Sequence, residues 1–307
     1  MKKKIILITG VAGFIGSSIA KKIKNKYKLF GIDNLSTGKK TNIPKEVTFY
    51  KLDLSKKNCL KNFPRVDYIM HLAGQSSADK SFNNPILDLQ KNTQSTLNII
   101  EYAKKKRVKK IIYASSMSVY GNIIKKKLSE NENVNPVSFY GVSKLSSEKY
   151  LSLLNPNVNY TILRMFNVYG PGQNLKDLNQ GMVSIYLSQY LYKKQILVKG
   201  SVERIRDFIY IDDVVNIWIK SINNSIKNEI FNVGTGIGYS VKNLIKLISN
   251  TANIKVINPT QGDQFKIVSN NKKLKKYFKL INFVNLKLGV EKFKIYAIRQ
   301  LKKQNLH

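Results

Sequence analysis

A chain of 307 residues, 43% of them hydrophobic, is long enough for a substantial core and fits one large α/β unit or a core domain with a smaller one attached. Its net charge of +35 comes from 47 lysines and six arginines spread along the chain beside abundant asparagine and isoleucine, the texture of an AT-rich genome rather than of a nucleic-acid-binding module. A single cysteine, Cys59, excludes an intrachain disulfide framework, and no apolar run approaches the roughly 20 residues of a membrane span; a cytoplasmic protein with neither nucleic acid nor membrane as partner is expected.

The first segment, Met1-Lys2-Lys3-Lys4 followed by four apolar residues, imitates a signal peptide. Its apolar stretch stops at Thr9-Gly10, shorter than the roughly 7–15 residues of an exported segment. It reads instead as a buried strand, Lys4–Thr9. Next comes Gly10-Val11-Ala12-Gly13-Phe14-Ile15-Gly16, opening a helix over Phe14–Lys26. Gly10 and Gly13 permit a tight turn and let the backbone approach a pyrophosphate. Gly16 lets the helix pack closely on the sheet, with the N–H groups about Phe14 and Ile15 facing the phosphates. A second strand, Lys28–Ile32, ends at Asp33-Asn34, 23 positions beyond Gly10 against about 20 for a dinucleotide fold. A carboxylate there accepts hydrogen bonds from ribose hydroxyls and repels a 2′-phosphate, which favours NAD over NADP. After the third strand, Val47–Lys51, Asp53-Leu54 is placed to meet the adenine.

The fourth strand, Asp67–His71, runs into Leu72-Ala73-Gly74, where small residues leave room for a cofactor; His71 itself reads as structural. A helical stretch, Asn92–Lys105, carries an apolar face that includes Leu97, Ile99-Ile100 and Ala103. The fifth strand, Lys110–Ala114, ends at Ser115-Ser116, and a serine at a strand's carboxyl end can donate to a substrate hydroxyl. Tyr140 and Lys144 then open a helix, Tyr140–Leu154, four residues apart and so on one face. A nearby ammonium is expected to lower the phenol's pKa from about 10 towards the range of a general base. Strands at Asn159–Arg164 and Glu229–Val233 complete the series.

Strands alternating with helices predict an α/β fold: a Rossmann-type doubly wound parallel sheet. The loop Tyr169-Gly170-Pro171-Gly172-Gln173-Asn174 breaks that rhythm. The predicted division is 1–170 as the NAD-binding domain, with a return of about 207–235 to the sheet. Segments 171–206 and 236–307 then form a smaller C-terminal substrate-binding lobe. The last dozen residues are expected to be poorly ordered.

Together the Gly10–Gly16 loop, Asp33, His71-Leu72-Ala73-Gly74, Ser115-Ser116 and Tyr140-x-x-x-Lys144 resemble an extended short-chain dehydrogenase/reductase. Within that superfamily the chain is similar to the NAD-dependent epimerase/dehydratase family of nucleotide-sugar enzymes, from about Lys4 to about residue 290. The stretches Arg164–Gly172 and Arg204–Val214 belong to the likeness. The resemblance implies Tyr140 as catalytic base, Lys144 as its partner on the nicotinamide ribose, and Ser116 on the sugar's reacting hydroxyl. It implies Asn167 near the substrate diphosphate, Arg206 as its clamp, Asp263 in the same site, and Asn92 as a structural or cofactor-side residue. It also implies a homodimer, bound NAD and no metal, with a nucleotide sugar of the UDP type as substrate.

Dehydratases of this family carry an Asp-Glu pair directly after the serine or threonine, for acid and base work on a second step. Here Met117-Ser118 stands there. The resemblance therefore implies a 4-epimerase, closest to the UDP-glucose/UDP-galactose type, with 4,6-dehydratases and UDP-glucuronate enzymes as alternatives. A non-catalytic dinucleotide-binding regulator, the alternative of another class, does not need Ser116, Tyr140 and Lys144 together. One departure stands out: several relatives place an arginine before a late Gly-Asp pair, whereas this chain has Pro259-Thr260-Gln261-Gly262-Asp263. Lys266 is the candidate replacement.

Overall fold

The computed structural model describes residues 3–123, 125–154, 158–178, 181–223, 225–279 and 282–304; the remaining residues, Met1, Lys2 and the last three among them, lie outside the described residues. Along the chain β1 (Ile5–Thr9), α1 (Phe14–Ile23), β2 (Lys28–Asp33), β3 (Val47–Lys51) and β4 (Tyr68–His71) come first. Two short helices follow, α2 (Ala78–Asn83) and α3 (Pro85–Leu89). A π turn, Gln90–Gln94, joins α3 to α4 (Ser95–Lys106). Then come β5 (Lys110–Ser116), α5 (Phe139–Ser152), β6 (Asn159–Met165) and β7 (Asn167–Tyr169). Next are α6 (Met182–Lys193), β8 (Gln195–Lys199), β9 (Ile205–Tyr210), α7 (Ile211–Lys220) and β10 (Glu229–Val233). The last part holds β11 (Gly238–Ser240), α8 (Val241–Ile248), β12 (Asn253–Ile257), β13 (Lys266–Ile267), α9 (Lys272–Phe278) and α10 (Leu286–Gln304).

Seven strands form the main sheet in the order β10-β6-β5-β4-β1-β2-β3. From β1 to β6 every neighbouring pair is parallel. The order reverses beside β1, as in a doubly wound Rossmann sheet. Apolar runs such as Ile6-Leu7-Ile8 are wholly buried, as strands covered on both faces require. Alternation sorts them: Leu7, Ile69, Ile111, Tyr113 and Ile162 pack with Ile99, Tyr102 and Ala103 of α4 and Leu151 of α5. Each such aliphatic side chain contributes about 1.5–3 kcal/mol by burial.

Two compact units result: Met1–Gly121 with Asn133–Met165 and Val215–Phe231, and Asn122–Glu132 with Phe166–Val214 and Asn232–His307. The division falls at Met165 rather than Gly170, because β6 ends there and β7 pairs with β9 in a second sheet. For the same reason β9 does not return to the main sheet as the 207–235 expectation had it; β10 alone does. Asn122–Glu132 joins the second unit through Leu128, whose N–H donates to the Val268 carbonyl (2.8 Å) and whose carbonyl accepts from Asn270 (2.7 Å).

The second unit is built around β9, flanked by antiparallel β11 and parallel β13 and β7, with β8 and β12 forming a separate parallel pair. Helices α6, α8 and α10 pack on one another. A capping box between Ser240 and Asn243 starts α8. Of the last dozen residues, expected to lack order, those as far as Gln304 belong to α10, which Val290, Phe293 and Ala297 bury along one face, and residues 305–307 lie outside the described residues. Among the described residues no helix is long and apolar enough to cross a membrane.

Candidate active site

Gly10 leaves β1 with φ +69, a left-handed conformation that glycine adopts without strain. Close packing also excludes larger residues here. A Cβ on Gly10 would lie 2.9 Å from the Ala73 nitrogen, and one on Gly16 only 2.2 Å from the Gly10 carbonyl oxygen. Thr9 fastens this corner, because its hydroxyl accepts the N–H groups of Leu72 (3.1 Å) and Ala73 (3.0 Å). Among the described residues no side chain caps α1 at Gly13, so the N–H groups of its first turn, about Phe14 and Ile15, are left as a helix end of the kind that suits an anion. Asp33, at the end of β2, accepts from the Ala12 N–H (3.0 Å) and the Leu35 N–H (2.8 Å). Its carboxylate braces the loop and retains lone pairs for further donors. This cradle fits a dinucleotide's pyrophosphate and ribose.

Other cofactor candidates have partners within the chain. Asn34 accepts from the Ser36 N–H (3.0 Å). Asp53 accepts from Lys91 Nζ (2.5 Å) and the Ser55 hydroxyl (2.7 Å). Although burial pushes the Asp53 carboxyl up, those bonds hold its pKa down at about 2. Leu54 is buried in the sheet's hydrophobic core. At Gly74 a Cβ would stand 2.4 Å from Asn92 Oδ1, so close packing within the chain also demands a glycine there. Asn92 sits on the π turn, a feature frequent at functional sites. Its amide nitrogen donates to Asp88 (3.0 Å), while its buried Oδ1 has no hydrogen-bond partner among the described residues. His71 is neutral and structural. Thr9 (2.8 Å) and Thr96 (3.1 Å) hold its two ring nitrogens, and burial, then the charge of Lys144, lowers its pKa to about 3.

Ser138 caps α5 by accepting the Gly141 N–H, which brings Tyr140 and Lys144 onto the helix's buried face. Lys144 Nζ donates to the Ala114 carbonyl of β5 (3.0 Å) and lies 5.7 Å from the Tyr140 ring centroid. Tyr140 takes a hydrogen bond with Ser116, whose Oγ also accepts the Ser118 N–H (3.1 Å). Ser116, Tyr140 and Lys144 thus form one buried cluster in the first unit. Its electrostatics differ from the expected lowering of the tyrosine. Burial raises the Tyr140 pKa to about 12, against the Ser116 hydrogen bond. Burial likewise lowers Lys144 to about 8, against the negative charges of Asp88 and Glu148. The charge of Asp88 works in the same direction as burial on the Tyr140 phenol, and the expected lowering by Lys144 does not outweigh the cost of a desolvated phenolate.

Two carboxylates of this cluster went unread in the sequence. Asp88 is buried, and that burial raises its pKa; it accepts from Ser143 Oγ (2.6 Å), Gln75 Nε2 (2.7 Å) and Asn92. Its signal was faint: four residues before Asn92, on the same helical face. Glu148 lies one turn after Lys144 and forms a buried pair with Arg164 (2.7 Å), while Ser115 donates to its Oε1.

In the second unit Asn167, on β7, donates to the Asp207 carbonyl (2.9 Å). Arg206, on β9, donates to Asp263 (2.7 Å) and to the carbonyls of Ile205 and Phe265. Asp263 also receives Arg204, a residue the sequence reading had not singled out. Asp263 is thus held between two guanidinium groups. Lys266 does not replace the missing arginine: it is exposed and in register with Ile205, on the side of β9 opposite Arg206. Among the described residues no cluster of three or more His, Cys, Asp or Glu is arranged to hold a metal.

Several known proteins share this arrangement of chain. A Methanocaldococcus jannaschii protein, provisionally named a UDP-glucose 4-epimerase, is 37% identical over 279 residues, covering 88% of this chain and 90% of the other. The crystal structure of a Thermotoga maritima UDP-glucose 4-epimerase with UDP-glucose superposes with a TM-score of 0.91 at 32% identity, over 97% and 99% of the two chains. The UDP-N-acetylglucosamine 4-epimerase of Methanobrevibacter ruminantium, in complex with UDP-N-acetylmuramic acid, gives 0.91 at 29% identity over 98% and 100%. The model of the NAD dependent epimerase/dehydratase family matches residues 6–234, from β1 through the last strand of the main sheet, and this chain belongs to that family.

Proposed function

We propose that this chain is an NAD-dependent 4-epimerase of nucleotide sugars, of the UDP-glucose/UDP-galactose type. One observation carries the choice of chemistry: the Ser116–Tyr140–Lys144 cluster is followed by Met117-Ser118, which offers no carboxylate for a dehydration step. The likeness to UDP-sugar 4-epimerases supports the substrate class.

In this reading Gly10, Gly13, Gly16 and the start of α1 hold the pyrophosphate, Asp33 the adenosine ribose and Lys144 the nicotinamide ribose. Bound NAD supplies hydride acceptance from C4 and its return. Tyr140 takes the proton from the C4 hydroxyl while Ser116 hydrogen-bonds that oxygen, so O–H and C–H bonds break as a C4 carbonyl forms. The Tyr140 phenol, with its pKa at about 12, keeps its proton in the chain alone. A positive charge arriving in the site favours the phenolate, so proton transfer is tied to cofactor occupancy. The keto sugar turns over, and Tyr140 returns the proton to O4 of the other epimer with no net redox change. Asn167 and Arg206, with Asp263 behind the arginine, serve the diphosphate.

The reading includes a cytosolic location, supported by the lone free Cys59. It also includes a homodimer, supported by Ile86, Leu89, Phe139 and Val142, which are exposed on α3 and α5. Sedimentation as a single chain would remove the homodimer. The central test incubates the purified protein with UDP-, GDP- and dTDP-sugars without reductant and follows C4 by NMR. Equilibration of UDP-glucose with UDP-galactose is expected, abolished in Tyr140→Phe while NAD stays bound. A 4-keto-6-deoxy product, or full activity in Tyr140→Phe, would overturn it.

A further inference from the structure

Within the second unit, Arg204 and Arg206 stand two positions apart, so they project to the same side of the backbone at the start of β9. Both converge on Asp263: Arg206 Nη2 lies 2.7 Å from Oδ1, and Arg204 Nη1 bonds Oδ2. The two arginines are 6% and 4% exposed. Two guanidinium groups facing one carboxylate leave one positive charge in excess in a nearly dry place. Such a charge is costly unless an anion joins it. Tyr186 of α6, the other ionisable group of the cluster, does not balance it. Burial raises the phenol's pKa, so it stays neutral while hydrogen-bonding Arg204.

The donors of Arg204 are not exhausted. Its Nε reaches the Ser201 carbonyl (3.0 Å), one Nη1 hydrogen bonds Asp263, and Tyr186 is a further partner, out of five N–H groups. Two guanidinium forks converging on one carboxylate suit a diphosphate, whose two phosphates each accept bidentate bonds. We propose that Arg204 is this chain's second diphosphate ligand, acting beside Arg206 in the role left vacant by Thr260-Gln261 ahead of Gly262-Asp263. The proposal rests on the nucleotide-sugar reading and adds the residue that completes its phosphate site. Asp263 positions both arginines.

The test titrates the full chain with UDP and with uridine by calorimetry and measures epimerase kinetics. Arg204→Gln is expected to weaken UDP by about tenfold or more and to leave uridine within about twofold. KM for the UDP-sugar rises in step, with kcat within about threefold. If Arg204 only neutralised Asp263, its removal from an Asp263→Asn background would cost nothing further; as a ligand it still weakens UDP there by about fivefold or more. Should Arg204→Gln not fold, Arg204→Lys keeps the charge and loses the fork, and UDP is expected to weaken by about threefold or more. Unchanged UDP affinity in a folded variant, or parallel loss of uridine, refutes the proposal. Failure of the underlying reading looks different: the unsubstituted chain then binds neither UDP nor uridine.

Discussion

Lys144 is expected to lower the stability of the fold it serves, and Lys144→Met tests this. The side chain is 4% exposed, and burial takes its pKa from the ordinary 10.5 to about 8. That fall corresponds to about 3 kcal/mol of destabilisation with the lysine charged. Methionine keeps the length and the packing but forfeits the hydrogen bond to the Ala114 carbonyl, worth about 1 kcal/mol. The net expectation is a gain of about 2 kcal/mol at pH 7, roughly 3 °C in Tm for a chain of 307 residues, with turnover lost. The sign with pH follows from proton counting. Between about 8 and 10.5 the unfolded chain binds more protons than the folded one, so wild-type stability rises with pH across that window. The advantage of the variant is therefore largest below pH 8 and fades as pH approaches 10.5. Denaturant melts at several pH values measure it. A variant less stable than wild type at pH 7, or a difference that does not change with pH, would refute the argument.

Two further outcomes follow from close packing and buried charge. Arg164→Met leaves Glu148, 3% exposed on the buried face of α5, without its ion-pair partner. A loss of about 3–5 kcal/mol is expected by chemical denaturation, much of it restored by adding Glu148→Gln; a loss under about 1 kcal/mol would contradict the pairing. Gly16→Ala sets a Cβ 2.2 Å from the Gly10 carbonyl, whereas Gly13→Ala approaches that oxygen only to 3.2 Å. Dinucleotide titration is expected to show Gly16→Ala binding at least about tenfold weaker than wild type and Gly13→Ala intermediate, and equal affinities would count against the close-approach account.

What the order of residues determined by itself is the scaffold. Strand-like segments of five or six residues separated by amphipathic helices leave few folds open, and β3 and β10 stand where those segments predict them. The Gly10–Gly16 loop and Asp33 were legible because a strand-to-helix turn is local, and so was the Tyr140–Lys144 spacing, set by one helical turn. The π turn before α4 escaped notice, although Asn84, capping α3 ahead of Pro85, signals a helix start seven residues before Asn92.

Tertiary structure decided what depends on distant segments. Burial set the pKa of Tyr140 upward, where a sequence neighbour four residues away suggested the reverse. Asp53 meets Lys91 across 38 residues, and Arg204 meets Asp263 across 59. Electrostatic energy depends on distance and solvent exposure, and neither is a property of position along the chain. The sequence names the ionisable groups; the fold sets which of them share a dry environment, and with it their charge and their partners.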